Sequence, residues 1–308
     1  MEIVTKTQAQ HIAAVAVCLL ALMALSPSNC AAGEMDSSPD APHAAILPSA
    51  VLDTGFRQLY EMDFQAARGQ FLAYQQEHPE DPLGKAAEAA SYLYEQFKAK
   101  GIFSSEFFLN DSKFLNGADG TPAQNRNDAF LTANSAAREM AKEQLKSAPA
   151  NAHALLVLTM TDGMEADYDA LIVKKQLAGL SMTRQAEGEA TKLLAIDPSA
   201  EDAYLALGAA NYVIGCLPSY KRAFLWLGGI HGDRAKGMDQ MQRAADHGHY
   251  LQPFAKILLA LASEREHQTD RARLLLTELA TEFPANPLFA RELELLNHPS
   301  GCRNPGRC

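Results

Sequence analysis

Four carboxylates crowd one short stretch of the chain: Asp162, Glu165, Asp167 and Asp169. Carboxylates this close could divide acid and base roles or hold a cation. The simpler account puts them at a helix start, with Asp162 and Glu165 as its opening residues, where the macrodipole favours negative charge. His247-Gly248-His249 is the closest histidine pair. Two His one residue apart suit one metal poorly on a helix face, and with Tyr250 they more simply finish one helix and start another. His231 stands beside Gly232-Asp233 and could pair with Asp233 as an ordinary loop histidine. Asn110, Asp111, Asn116 and Asp119 supply oxygens, but not in the alternating pattern ending in Glu that an EF-hand loop needs. Cys302 and Cys308 flank a Pro-Gly turn that could bring their thiols into disulfide range, or they could remain free on a frayed tail. Their spacing is not that of a usual zinc site. Cys216 lies in an apolar stretch and reads as a small buried hydrophobe. The sequence has no Gly-x-Ser-x-Gly elbow, phosphate-cradling Gly-x4-Gly-Lys loop, His-Glu-x2-His or Cys-x2-Cys. No catalytic residue, metal or cofactor is assigned, and the chain is expected not to be an enzyme.

Recognition chemistry has other candidates. The segment Gly101 to Gly120 carries Phe103, Phe107, Phe108 and Phe114 among Ser, Asn and Asp. As a long aromatic loop it could form a partner-binding lip, or its rings could plug the end of a helical core. Tyr212, Tyr220, Phe224 and Trp226 gather around Pro218 and Gly228-Gly229. They point to an unusual local shape, with core packing at an irregular junction as their expected role. Arg222 and Arg234 nearby could hold a peptide carboxylate through bidentate contacts. The formal net charge is -10. Such a chain does not attract phosphate backbones or anionic lipid by its overall field, and no dense Lys/Arg run reverses that, so nucleic-acid binding is not expected.

The elements that must position these residues read as helices throughout. Hydrophobic residues make up 47% of the chain and aromatics only 7%, a mix rich in Ala and Leu that favours helices packed through small side chains. From about Ala50 to Asn297 apolar residues recur at three- and four-residue intervals, with no alternating strand pattern. Asp81-Pro82 and Asn286-Pro287 each put a side-chain acceptor before a Pro, a helix-start signal. Thr121-Pro122-Ala123-Gln124 adds a Gln suited to a capping box, and Ser199 with Asp202 is a further start. These signals divide the body into roughly a dozen helices.

The helices also repeat. In paired-helix repeats of about 34 residues, a small residue, a bulky one four later and a Pro beyond mark the second helix. Ala67, Phe71, Tyr74 and Pro79 fit, as do Ala272, Leu276, Leu279 and Pro284. Ala186, Ala190, Leu193 and Pro198 fit with a smaller filler, and Ala137, Ala141, Gln144 and Pro149 share the spacing. Tyr204, Leu207, Gly208 and Tyr212 match a first helix, and Gly237, Met241 and Ala244 a second. On these residues the chain resembles the tetratricopeptide-repeat family over most of Val51 to Asn297. The segments Tyr212 to Pro218 and Leu227 to Arg234, with Gly237, are distantly similar to the inclusion-body-clearance branch of helical-repeat proteins. The repeats are unequal, and Gly101 to Asp119 interrupts them. The resemblance implies an all-α solenoid of antiparallel helix pairs, stacked right-handedly, whose concave face grips a protein or peptide partner. Arg222, Arg234 and the Phe-rich segment are the contacts expected there.

The N-terminus reads as an address. Lys6 precedes an apolar run from Ile12 to Leu25, shorter than the roughly 20 residues of a helical span, followed by small residues Cys30 and Ala32 that suit signal cleavage before Gly33. Residues 1–32 are read as a signal peptide, 33–49 as a flexible linker, 50–297 as the repeat domain with an insertion near 101–120, and 298–308 as a tail. The expected product is periplasmic or secreted and retains no membrane span. Pro27 and Asn29 match a lipoprotein signal at Cys30 poorly. A lipid-anchored component of an envelope assembly, and a small-ligand binder or enzyme, are the rival functions.

Overall fold

Apolar periodicity at three- and four-residue intervals folds here into helices alone. The computed structural model describes residues 49–297, and among them there are fourteen α-helices and no strand. In chain order they are α1 (Ala50–Tyr60), α2 (Phe64–Glu77), α3 (Pro82–Ala99), α4 (Ser105–Leu109), α5 (Asp111–Asn116), α6 (Gln124–Ser147) and α7 (Ala152–Asp167). A π-helical turn, Tyr168–Ile172, continues α7. Then follow α8 (Gln176–Ile196), α9 (Ala203–Cys216), α10 (Ser219–Leu227), α11 (Arg234–His247), α12 (Gln252–Arg265), α13 (Thr269–Glu282) and α14 (Pro287–Asn297). The expected signal peptide, most of the linker, the tail, and Cys302 with Cys308 lie outside the described residues.

Local chemistry sets many of the boundaries. Asp81 accepts the Leu83 amide at 2.8 Å and Asn286 accepts that of Leu288 at 3.0 Å, each ahead of a first-turn Pro as the sequence predicts. Asp81 does more than cap. Its other oxygen takes the Tyr74 hydroxyl at 2.7 Å, and His153 Nε2 lies 2.7 Å from Oδ1, tying α2, α3 and α7 together. Burial pushes this carboxyl up, but the His153, Tyr74 and Leu83 hydrogen bonds outweigh it and hold the pKa below the ordinary value. Three expected starts are corrected. The helix after Thr121 begins at Gln124 with Ala123 at its cap and no side-chain cap bond. Asp162 and Glu165 fall in the second half of α7, whose cap is Asn151. Asp202 caps another element: its carboxylate accepts the amides of His249, Tyr250 and Leu251 at 2.7, 3.0 and 3.2 Å, ordering the turn before α12.

The helices pack as consecutive antiparallel pairs, α1 with α2, α3 with α6, α7 with α8, α9 with α11 and α12 with α13, each pair resting on the next and α14 ending the stack. This is an all-α helical-repeat solenoid. The second helices bury a single stripe, such as Phe64, Ala67, Phe71 and Tyr74 on α2, or Ala272, Leu275, Leu276 and Leu279 on α13. The first helices α3, α7 and α12 are buried on several faces at once, so they form an inner layer. Close approach is carried by small residues. The Phe71 ring fills the space where Gly55 would carry a Cβ. Gly208 and Gly237 let α9 and α11 touch backbone to backbone, beneath the fully buried Tyr212. Tyr204 and Leu207 are half-buried, with the Arg243 guanidinium 4.1 Å above the Tyr204 ring.

The stack curves until its first pair meets its last. Phe56 stacks on Tyr250 at 4.6 Å, Tyr60 donates to the Tyr250 carbonyl at 2.8 Å, and Asn286 donates to the Tyr60 carbonyl at 2.8 Å. Residues 101–120 are not an open loop. They fold into α4 and α5, and α4 lies against α12. Phe103 packs edge-on against Tyr94, Phe97 and Phe254 at 5.3–6.3 Å, so the chain's own rings fill the inner face between α3 and α12. Arg265 pins the segment by donating to the Phe108 carbonyl at 2.7 Å, pairing with Asp111 and covering Phe114.

The α9–α11 contact yields a stability test. A Cβ at position 237 would meet the Tyr212 nitrogen at 2.5 Å and the Gly208 oxygen at 2.7 Å. Gly237→Ala should therefore destabilise the body by about 1–3 kcal/mol in urea unfolding. Gly188→Ala, a helical site with nothing within 4 Å, should instead stabilise it by about 0.5–1 kcal/mol.

Candidate functional site

Between α9 and α11 the chain leaves the body and returns. The base of this excursion is a backbone contact: a Cβ on Gly232 would lie 2.5 Å from the Gly215 nitrogen, and one on Gly215 would lie 2.9 Å from the Arg234 nitrogen. Residues 217–231 therefore form an arm whose two ends touch. Leu217, extended ahead of Pro218, ends α9, and Pro218 stands at the N-cap of α10. Gly228 and Gly229 close it, with Gly229 at φ +73°, a left-handed conformation glycine adopts freely. The Ile230 amide returns to the Leu225 carbonyl at 3.0 Å and locks the turn.

The helix this turn encloses buries none of its residues. Only Leu225 is half-covered. Tyr220 is 70% exposed, Phe224 49%, Trp226 64% and Leu227 74%. Tyr220, Phe224 and Leu227 stand at i, i+4 and i+7 and share one helix face. Trp226 lies off that face, edge-on to the His231 ring at 6.4 Å, over a shallow hollow lined also by Ile214, Arg222 and Ile230. Lys221 and Arg222 are exposed, and neither has an ion pair among the described residues. The sequence grouped these aromatics but expected them in the core. Of the four, only Tyr212 is there, its hydroxyl 3.3 Å from Glu266. Leu227 was not foreseen at all. The available signal was a nine-residue amphipathic helix fenced by Pro218 and Gly228-Gly229.

The other candidates are placed elsewhere. Arg234 sits at the base of the arm and donates to Glu266 at 3.1 Å, and the Glu266 charge raises its pKa further. Phe103 and Phe107 are 7% and 3% exposed and belong to the core, while Phe108 is half-buried against Phe114 at 4.9 Å. Phe103 and Phe107 therefore belong to a plug, with Phe108 at its edge. Cys216 ends α9 half-buried, and burial pushes its thiol up, away from the nucleophilic thiolate. His249 Nε2 lies 2.9 Å from Asp53 and its ring stacks on Tyr250, so this one histidine of the pair joins the turn before α12 to α1.

The four carboxylates are dispersed by their surroundings. Arg138 lies 2.7 Å from Asp162 and 2.9 Å from Glu165, and binds Gln185 as well, linking α6, α7 and α8. Burial pushes Asp162 up to about 6, against the pull of Arg138. Asp167 keeps a little accessible surface but lies deep beside Tyr94, and burial alone pushes it up to about 7. Among the described residues no three His, Cys, Asp or Glu side chains stand together as a metal cluster. Comparison with known proteins gives no match, either to a family model or to a curated protein.

The desolvation of Asp167 has a consequence for pH. Its folded pKa is raised above the unfolded value, so the folded state favours the neutral acid. That stability is complete below the ordinary carboxylate range and is lost as pH rises through about 7. Asp167→Asn should remove this loss and raise stability above neutral pH by about 1–2 kcal/mol, with little effect in acid. Urea midpoints measured across that range check it.

Proposed function

We propose that this chain is a non-catalytic recognition scaffold, a helical-repeat body that holds out α10 to a macromolecular surface. The observation that carries this reading is the exposure of Tyr220, Phe224, Trp226 and Leu227 on one short helix none of whose residues is fully buried. A contiguous exposed apolar surface marks an interaction site, and aromatic side chains dominate such sites. An isolated helix of this length is marginal in water, so a covering partner gives it a reason to stay folded. The fold supports the same division of labour. Gly215 and Gly232 meet at the base, so the body's packing is continuous without the arm.

The resemblance to tetratricopeptide repeats agrees with an adaptor. It would place the contact on the concave face, but Phe103, Phe107 and Phe254 occupy the inner face between α3 and α12. The working surface moves to the arm, where Arg222 remains a contact and Arg234 a support for the base. Asp162 and Glu165 are engaged by Arg138, which favours a structural role for the acidic group. The leader read at residues 1–32 makes the periplasm or the exterior the compartment of this proposal.

A photoreactive side chain placed at Phe224 in the full-length chain, expressed in cells, tests it. Adducts should form from position 224 and not from the exposed Leu72 or Leu177. Adducts from those two positions with none from 224 would overturn it. Replacing 217–231 by a short Gly-Ser link should leave the melting curve of the body in place.

A further inference from the structure

We infer that the surface α10 enters is the water–lipid interface of a bilayer bearing anionic phospholipid headgroups. This rests on α10 being the recognition element and names what it recognises. Three observations favour lipid.

The first is shape. Among the described residues no other helix packs closely along α10, so its Tyr220–Leu227 face is convex and offers no groove to an incoming helix or strand, the shallow hollow lying under Trp226 off that face. A convex helix with Tyr220, Phe224 and Leu227 on one face can enter an interface plane with that face down. The second is residue type. Tyr220 and Trp226 pair an apolar body with a polar tip, the combination that settles at headgroup depth, and Phe224 and Leu227 supply the purely apolar part.

The third is charge. From Ala203 to Gly232 there is no Asp or Glu, although the chain as a whole carries -10. The formal charges in that stretch are Lys221 and Arg222, both exposed and unpaired among the described residues. Their stems can lie along the apolar surface while their heads reach phosphate oxygens. An anionic membrane would repel the acidic body and attract the arm, which restricts contact to α10 and orients the molecule. The same charges disfavour a second copy of the chain. A two-fold contact through α10 would set Lys221 and Arg222 against themselves and bring two acidic bodies together.

Trp226 is the chain's sole tryptophan, so its emission reports on the arm directly. A Trp226→Phe, Phe224→Trp version moves the reporter onto the Tyr220–Leu227 face. The full-length chain, after any processing, is mixed with vesicles of phosphatidylcholine alone or with phosphatidylglycerol added. Sedimentation with the phosphatidylglycerol vesicles and a blue shift of the tryptophan at position 224 are expected. Phe224→Ser with Leu227→Ser should weaken binding at least about tenfold. Lys221→Gln with Arg222→Gln should weaken it on the order of tenfold on phosphatidylglycerol vesicles and leave phosphatidylcholine unaffected. Circular dichroism melts of each variant should match the parent, since α10 buries no residue.

Absence of sedimentation, an unmoved spectrum at 224, or full binding by the Phe224/Leu227 variant would overturn the lipid proposal. Should vesicles fail while position 224 crosslinks a protein in cells, the lipid proposal falls and the recognition reading stands. Should both fail, both fall.

Discussion

The whole body depends on one constraint: helices of the inner layer have neighbours on several sides, so their side chains must be small enough to let every neighbour approach. α3 meets this with Ala86, Ala87, Ala89 and Ala90 alongside Leu83 and Leu93, and α12 with Ala255, Ala260 and Ala262 alongside Leu259. Where α9 and α11 meet backbone to backbone, the residues are Gly208 and Gly237, since any Cβ would overlap a main-chain atom. Helix pairs held this closely leave no stripe unfilled, and each successive pair must lie on the last.

Closure follows from that stacking. Tyr60 receives Asn286 on its carbonyl and gives its hydroxyl to the Tyr250 carbonyl, so a residue of the first helix satisfies groups near the last ones. Asp202 holds the turn that presents Tyr250, although burial pushes its carboxyl up. The α4–α5 segment completes the enclosure through Ser105, whose amide donates to the buried Glu292, and through Arg265. Between α3 and α12 the inner face is packed with the chain's own aromatic rings, which restricts what else can lie against it. The arm is free of that restriction, which is why apolar residues can remain exposed on it.

The residues that define repeat spacing were legible because sterics dictate them locally. Ala67, Phe71, Ala272 and Leu276 are all buried, and Asp81 and Asn286 cap the helices their sequences announce. Phe103 and Phe107 were ambiguous, since aromatic residues among polar ones suit a lip and a plug equally. Arg265 and Phe254, more than 140 residues away, decide the matter, and nothing near position 103 in the sequence refers to them. The acidic group was misplaced for a related reason. Asn151 starts α7 earlier, and the partner of Asp162 is Arg138 on the preceding helix.

By itself the sequence determined helix content, the paired-helix period and some positions of close approach, such as Gly208 and Gly237, because these follow from the size and period of residues near one another along the chain. Tertiary structure alone decided which aromatic clusters face water. Phe103 and Tyr212 look no different in sequence from Phe224 and Trp226, yet the first two meet helices from distant segments and the last two meet none. Burial is a property of what the rest of the chain brings to a side chain, and that depends on how far the stack curves before its ends touch.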